Sequence, residues 1–268
     1  MKKPVAGVWS CVLAMAAATT AAPQSLESRV ASAHGSVAFE YVTRPNVCGD
    51  GSSISVSDDA SPGWMLRSSR SGIHIGTRRR DTYERCDVGP ARVLLRHEGA
   101  HVVELRVSVG GQPENADTEL GDVRPQEAAT YLLELAPRLS GRSGDDAVMG
   151  AAIADGVVIW QRLLSIARDS AASEASRKAA LFWVSHEASA AATAGLDSIA
   201  GDDDGLLSVR SDALFYLAQR PGGEGIPALI RVVESSKSVK LRKDAIWFLA
   251  QSRDGRALAL FEKLLSGR

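Results

Sequence analysis

The chain has 268 residues and a formal net charge of −1 at pH 7, with an isoelectric point near 6.5. That length suits one or two domains with a sizeable core. The near-neutral balance excludes a whole-chain electrostatic basis for binding DNA, RNA or anionic lipid.

Residues 1–22 read as a secretory signal peptide. Lys2 and Lys3 form a basic start, Val5 to Ala18 an apolar run, and small residues continue to Ala22, so cleavage is expected near Ala21 or Ala22. The run is too short to span a membrane, and no other stretch approaches the required ~20 apolar residues. Cys11 is a poor lipidation site, because bulky Trp9 precedes it and most of the apolar run follows it. Without the leader two cysteines remain, Cys48 and Cys86. An exported chain with two cysteines suggests one disulfide, which contributes about 2–4 kcal/mol if unstrained. Two free buried thiols are the alternative. Neither cysteine has a second cysteine or a histidine at close ligand spacing, so a metal site is disfavoured.

Residues 26–137 read as a β-rich domain with a trailing helix. In "SVAFEYV" the residues Val37, Phe39 and Tyr41 alternate as in a half-buried strand. "RPNVCGDGSS" is turn chemistry. Short strands are expected around Trp64–Arg67 and Ile73–Ile75. "ARVLLRHEGAHVVELRVSVGG" reads as a hairpin, with Val103, Leu105, Val107 and Val109 alternating against Glu104, Arg106 and Ser108.

The centre of that hairpin, "HEGAH" (His97 to His101), matches the His-Glu-x-x-His zinc-protease pattern letter for letter. That chemistry needs a helix, on which i and i+4 aim both imidazoles at one zinc. A hairpin with a three-residue Glu98-Gly99-Ala100 loop is expected instead. It pairs Leu95 with Val103 and Val93 with Leu105, and sets His97 opposite His101. Gly99 suits a loop and would weaken a helix by ~1 kcal/mol. The Arg78–Arg80 run reads as a solvated loop.

A helix is expected from Pro125, which suits a first helical position. "PRLSGRSGDD" (Pro137–Asp146) reads as a linker, and everything from Asp145 onward as helical. Within 145–268 the chain repeats itself. "DALFYLAQR" begins at Asp212 and "DAIWFLAQS" at Asp244. Arg177, Arg210 and Arg242 fall in register, as do Ala180, Ala213 and Ala245; Leu181, Leu214 and Ile246; and Val184, Leu217 and Leu249. An upstream copy uses Ala147, Val148 and Ala151. The period is 32–33 residues, in about four copies. One helix pair cannot bury its apolar stripe alone, so neighbours must stack to form the core.

The stretches Val209-Arg210-x-x-Ala213-x-x-x-Leu217 and Leu241-Arg242-x-x-Ala245-x-x-x-Leu249 resemble the HEAT-repeat signature, in the short form also found in phycobilin-lyase-like proteins. The resemblance covers residues 145–268. The whole chain looks like exported bacterial proteins that place a β-rich segment before such repeats. The resemblance implies an α+β two-part chain: an N-terminal β-rich domain, then a C-terminal α-α solenoid of about four HEAT-like repeats.

Few motifs carry chemistry. "GDDDG" (Gly201–Gly205) lacks the spacing and terminal glutamate of a calcium loop and reads as an inter-repeat connection. There is no P-loop, no Gly-x-Gly-x-x-Gly and no Gly-x-Ser-x-Gly elbow. Phe182, Phe215 and Trp247 share one repeat position, opposite the Ala180/Leu181/Val184 face. They either pack between repeats or form an exposed aromatic ladder. Arg231 and Lys263 are surface charges on second helices. The expectation is a periplasmic or secreted, non-catalytic interaction scaffold with a protein partner in the cell envelope, no cofactor, no metal, no nucleic acid and no membrane span. The phycobilin-lyase resemblance implies an alternative, a chromophore-handling enzyme, and "HEGAH" a third, a zinc hydrolase.

Overall fold

A computed structural model describes residues 24–57, 64–69, 72–77, 86–99, 101–186 and 190–266. The expected signal peptide (1–22) and the Arg78–Arg80 run lie outside the described residues. A short helix α1 (Leu26–Ser32) leads into strands β1 (Ser36–Tyr41), β2 (Val47–Gly49), β3 (Ile54–Ser57), β4 (Trp64–Ser69), β5 (Gly72–Thr77), β6 (Ala91–Glu98), β7 (His101–Val109) and β8 (Thr118–Asp122). Helix α2 (Pro125–Leu135) follows, then a 3-10 turn and helices α3 (Gly141–Ala152), α4 (Trp160–Arg168), α5 (Glu174–Ser185), α6 (Ala190–Gly201), α7 (Leu207–Ala218), α8 (Ile226–Ser235), α9 (Val239–Ser252) and α10 (Gly255–Ser266). The chain is therefore a sheet region followed by a run of helices. No helix among the described residues is long and apolar enough to cross a membrane.

The strands form two four-stranded sheets, in the orders β7-β6-β1-β8 and β2-β3-β4-β5. In the first, β1 runs parallel to β8 and antiparallel to β6. The alternation expected for β1 sets up three cross-strand rows: Val37–Leu95–Leu105, Phe39–Val93–Val107 and Tyr41–Ala91–Val109. All nine side chains are buried. Helices α2 and α3 supply core against this side of the sheet. Phe39 meets Tyr131 of α2 edge-on at 6.3 Å, and the Tyr41 hydroxyl donates to the Gly150 carbonyl of α3 at 2.7 Å. A Cβ at Gly150 would lie 2.9 Å from the Val107 side chain, so only glycine permits this approach.

The β6–β7 hairpin forms, but its register differs from the expected one. Val93 pairs with Val107 and Leu95 with Leu105, and an irregularity between Arg96 and His97 sets His97 opposite Val102 and Glu98 opposite His101. Apolar alternation alone allowed a shift of two residues, because such a shift keeps the same faces. The buried rows on β1 decide between the two.

The expected Pro137–Asp146 linker is also corrected. A 3-10 turn covers Ala136–Arg138 and α3 begins at Gly141. The polar residues that suggested a loop serve the open edge of the sheet. The Leu105 backbone N–H donates to the Ser143 hydroxyl at 3.1 Å, and the Val107 N–H to the Asp146 carboxylate. Strand β7 is an edge strand, so its outward N–H groups need such partners. Nor is the chain helical throughout after Asp145. Between α3 and α4, Ala154 bridges to Thr43, and Arg44 N–H donates to Ile153 at 2.9 Å.

From α3 onward the helices lie in two layers. α3, α5, α7 and α9 are successive neighbours in one, and α4, α6, α8 and α10 in the other. Ala147, Ala180, Ala213 and Ala245 are all 0 % exposed, and Val184, Leu217 and Leu249 are no more than 1 % exposed. The apolar core is one continuous cluster from Leu26 to Leu260, spanning sheet and helices.

Candidate functional site

The helical layers expose two sets of side chains at repeat spacing. The first begins with the backbone. Arg210, at the start of α7, is buried and donates through Nε to the Ala200 carbonyl of α6 at 3.1 Å, and through a terminal nitrogen to Asp203 at 2.9 Å. Arg242 of α9 donates to the Ser236 carbonyl beyond α8 at 2.5 Å. Each guanidinium thus meets the carboxyl end of the preceding helix, where free carbonyls concentrate negative charge. The Gly201–Gly205 stretch joins α6 to α7, and its Asp203 serves this tie. These contacts hold the angle between successive helices and so fix what lies on the outer surface.

On that surface the aromatic pairs run as one chain. Trp183 lies 5.3 Å from Phe182, Phe182 6.2 Å from Tyr216, and Tyr216 5.3 Å from Phe215. Phe215 lies 6.1 Å from Phe248, and Phe248 5.1 Å from Trp247. All five contacts are edge-on, the geometry in which a ring's positive rim meets a negative face. Exposure rises over the three rings that share a register position. Phe182 is 4 % exposed, Phe215 40 % and Trp247 60 %. The three residues that share a sequence position therefore divide: Phe182 packs between helices under His186, whose ring centroid is 4.4 Å away, while Phe215 and Trp247 stand outward. Burial pushes the Tyr216 phenol above its ordinary range.

The second set lies on the other layer. Arg231 of α8 pairs with Asp197 of α6, and Lys263 of α10 with Glu234 of α8 at 2.9 Å. Thr193, Asp197, Glu224 and Arg231 line an open groove of about 350 Å³. Its charges are engaged with one another: Glu224 accepts from Thr193 at 2.9 Å and from Arg220 at 3.4 Å. Asp197 and Glu234 were not singled out in the sequence. Their signal was there, an acid about one period upstream of each cation.

The remaining expected residues lie in the sheet region. Cys48 of β2 and Cys86 sit at disulfide distance, with Cα atoms 5.2 Å apart. Beside them Gly49 and Asp87 exchange both backbone hydrogen bonds, at 3.0 and 2.8 Å. His97 and His101 lie on adjoining strands around Gly99, whose φ is +63°, and His97 Nδ1 is 3.2 Å from the Gly35 carbonyl. The helical i, i+4 presentation that a His-Glu-x-x-His zinc site requires is not formed here. Among the described residues no three His, Cys, Asp or Glu side chains gather as a metal site would need.

Set beside known proteins, the chain matches no family model, no curated protein and no solved structure.

Proposed function

We propose that the helical half is an α-α solenoid of HEAT-like repeats, and that the protein is an exported, non-catalytic scaffold that binds a protein partner in the cell envelope. Equivalent burial in register, two helix layers and the like ties of Arg210 and Arg242 support the repeat reading. Two cysteines at disulfide distance support an oxidising compartment. The observation that carries the binding role is the outward end of the aromatic chain. Phe215 and Trp247 are exposed yet held by edge-on neighbours, so little side-chain entropy is lost when a partner covers them. Large aromatics on a rigid surface are the side chains that dominate interface energies. Arg231 and Lys263, on the α8–α10 layer, take a smaller part, since both are already paired on this chain.

Immobilised protein would capture the partner from envelope extracts. Phe215→Ala with Trp247→Ala should lose the captured species while helical circular dichroism is unchanged. Arg231→Ala with Lys263→Ala should retain most of it. The opposite pattern would move the binding face to the α6–α8–α10 layer. Capture unaffected by either pair would refute a binding role for the helical half.

A further inference from the structure

The last helix pair repeats the internal pattern of apolar positions, but no described element covers its outer side. On α9, Asp244 accepts from Ser211 of α7 at 2.8 Å and Phe248 packs on Phe215. That side of the helix faces α7. Val239, Lys243 and Ile246, spaced i, i+4 and i+7, lie on the side away from it. On α10, Lys263 and Arg256 reach towards α8 and the turn before it, bonding Glu234 and the Gly223 carbonyl. Leu258, Glu262 and Leu265, with the same spacing, lie on the side away from α8.

Burial shows that this face is built like an interior one. Ile246 is 39 % exposed, whereas its register equivalents Leu181 and Leu214 are both 0 %. Leu258 is 59 % exposed against 3 % for Ile226, and Leu265 is 89 % against 8 % for Val233. Val239 adds a further exposed side chain at 55 %. Apolar groups this exposed and this contiguous mark an interaction surface.

We infer that the outer face of α9 and α10 is a homodimer interface, closed by a second copy about a twofold axis parallel to the two helices. The charges select this occupant. Lys243 and Glu262 have opposite sign, and neither side chain takes part in a hydrogen bond or ion pair among the described residues. The two helices are antiparallel and joined by a short turn, so residues equally far from the turn lie at one level. Lys243 and Glu262 lie within about 3 Å of a common level at 1.5 Å per residue. A twofold axis along the helices lays α9 against α10 of the partner subunit, antiparallel. It sets Lys243 opposite Glu262 of the partner subunit twice, with Ile246 against Leu258 and Val239 against Leu265 at the apolar levels. A twofold axis across the helices would leave both charges without a counter-ion. Head-to-tail stacking is blocked, because the other end of this layer, α3, is already covered by β7 and α2. An isologous contact closes at two subunits.

This inference is independent of the partner proposed for the aromatic chain. Sedimentation velocity of the purified protein from about 1 to 100 µM, the range that reads a micromolar association, should show a monomer–dimer equilibrium. Ile246→Asp with Leu265→Asp should leave a folded monomer with unchanged helical circular dichroism. Lys243→Glu and Glu262→Lys should each weaken the dimer about tenfold or more, since each sets like charges together at two places. Mixing those two variants should restore association, because every facing pair is then opposite in sign. A monomer at all concentrations, a dimer indifferent to Ile246 and Leu265, or a mixture no tighter than either variant alone would each overturn the inference.

Discussion

Asp146 couples the sheet directly to α3. Its side chain is 4 % exposed, 3.7 Å from Arg142, and accepts from the Val107 N–H of the edge strand. Burial dominates and pushes the carboxyl up to about 6, against the pull of Arg142 and of that N–H. The folded state therefore binds the proton more tightly than the unfolded chain. This contribution to stability is fully present below the ordinary carboxylate range near pH 4 and is lost as pH rises through about 6. Asp146→Asn keeps an acceptor for Val107 and removes the charge. It should raise stability at pH 7.5 by on the order of 2 kcal/mol, with the gain shrinking to nothing near pH 4. Urea titrations of both proteins across that range measure it, and an equal difference at every pH would contradict the burial argument. Arg210 makes the opposite kind of contribution, since it supplies donors to an otherwise open helix end. Arg210→Ala should cost about 1–3 kcal/mol, and Arg210→Lys should recover only part, because a single ammonium cannot reproduce the two-directional fork.

Helix α7 illustrates how an element depends on its neighbours. Ala213 is fully buried, with α5, α8 and α9 packed around its helix. Ala213→Leu overfills that contact and should cost about 1–3 kcal/mol. Hydrogen exchange should quicken most in α7 and the helices touching it, and least in the β1–β6–β7 rows, which are separated from α7 by α3 and α5. Equal loosening of sheet and helices would mean that the cluster yields as one unit. The β6–β7 hairpin is a contrasting case. Gly99 has φ +63°, and a Cβ added there would meet nothing within 4 Å, so Gly99→Ala meets only the backbone penalty of the left-handed region. It should cost about 1 kcal/mol with its effect confined to the turn, as amide exchange at His97 and His101 would report.

At the scale of the whole molecule, the Cys48–Cys86 pair ties β2 to the chain entering β6 across 38 residues. Thiol labelling of protein recovered from an oxidising compartment, denatured without reductant, should find neither cysteine reactive. Reduction should lower stability by roughly 2–4 kcal/mol. Two labelled thiols would remove the bond and, with it, one of the supports for export. The sheet covers α3 at one end of the helical layers, while no described element covers the outer α9–α10 face at the other.

Elements whose signals are local and periodic could be read from the residues alone. The helical character of the C-terminal half was legible because its apolar residues recur at helical spacing, and the hairpin because Gly99 punctuates two alternating runs. The pairing of Cys48 with Cys86 was expected from there being only two cysteines outside the expected leader. Whatever depends on a distant neighbour was settled by packing instead. Hairpin register was set by the buried rows on β1, which apolar alternation cannot see. Ser143 and Asp146 looked like linker residues until the edge of β7 gave them partners. Phe182, Phe215 and Trp247 occupy one repeat position, yet one is buried and two stand outward. Their helical period is the same; what differs is how much of the surrounding array covers each ring, and no local pattern encodes that.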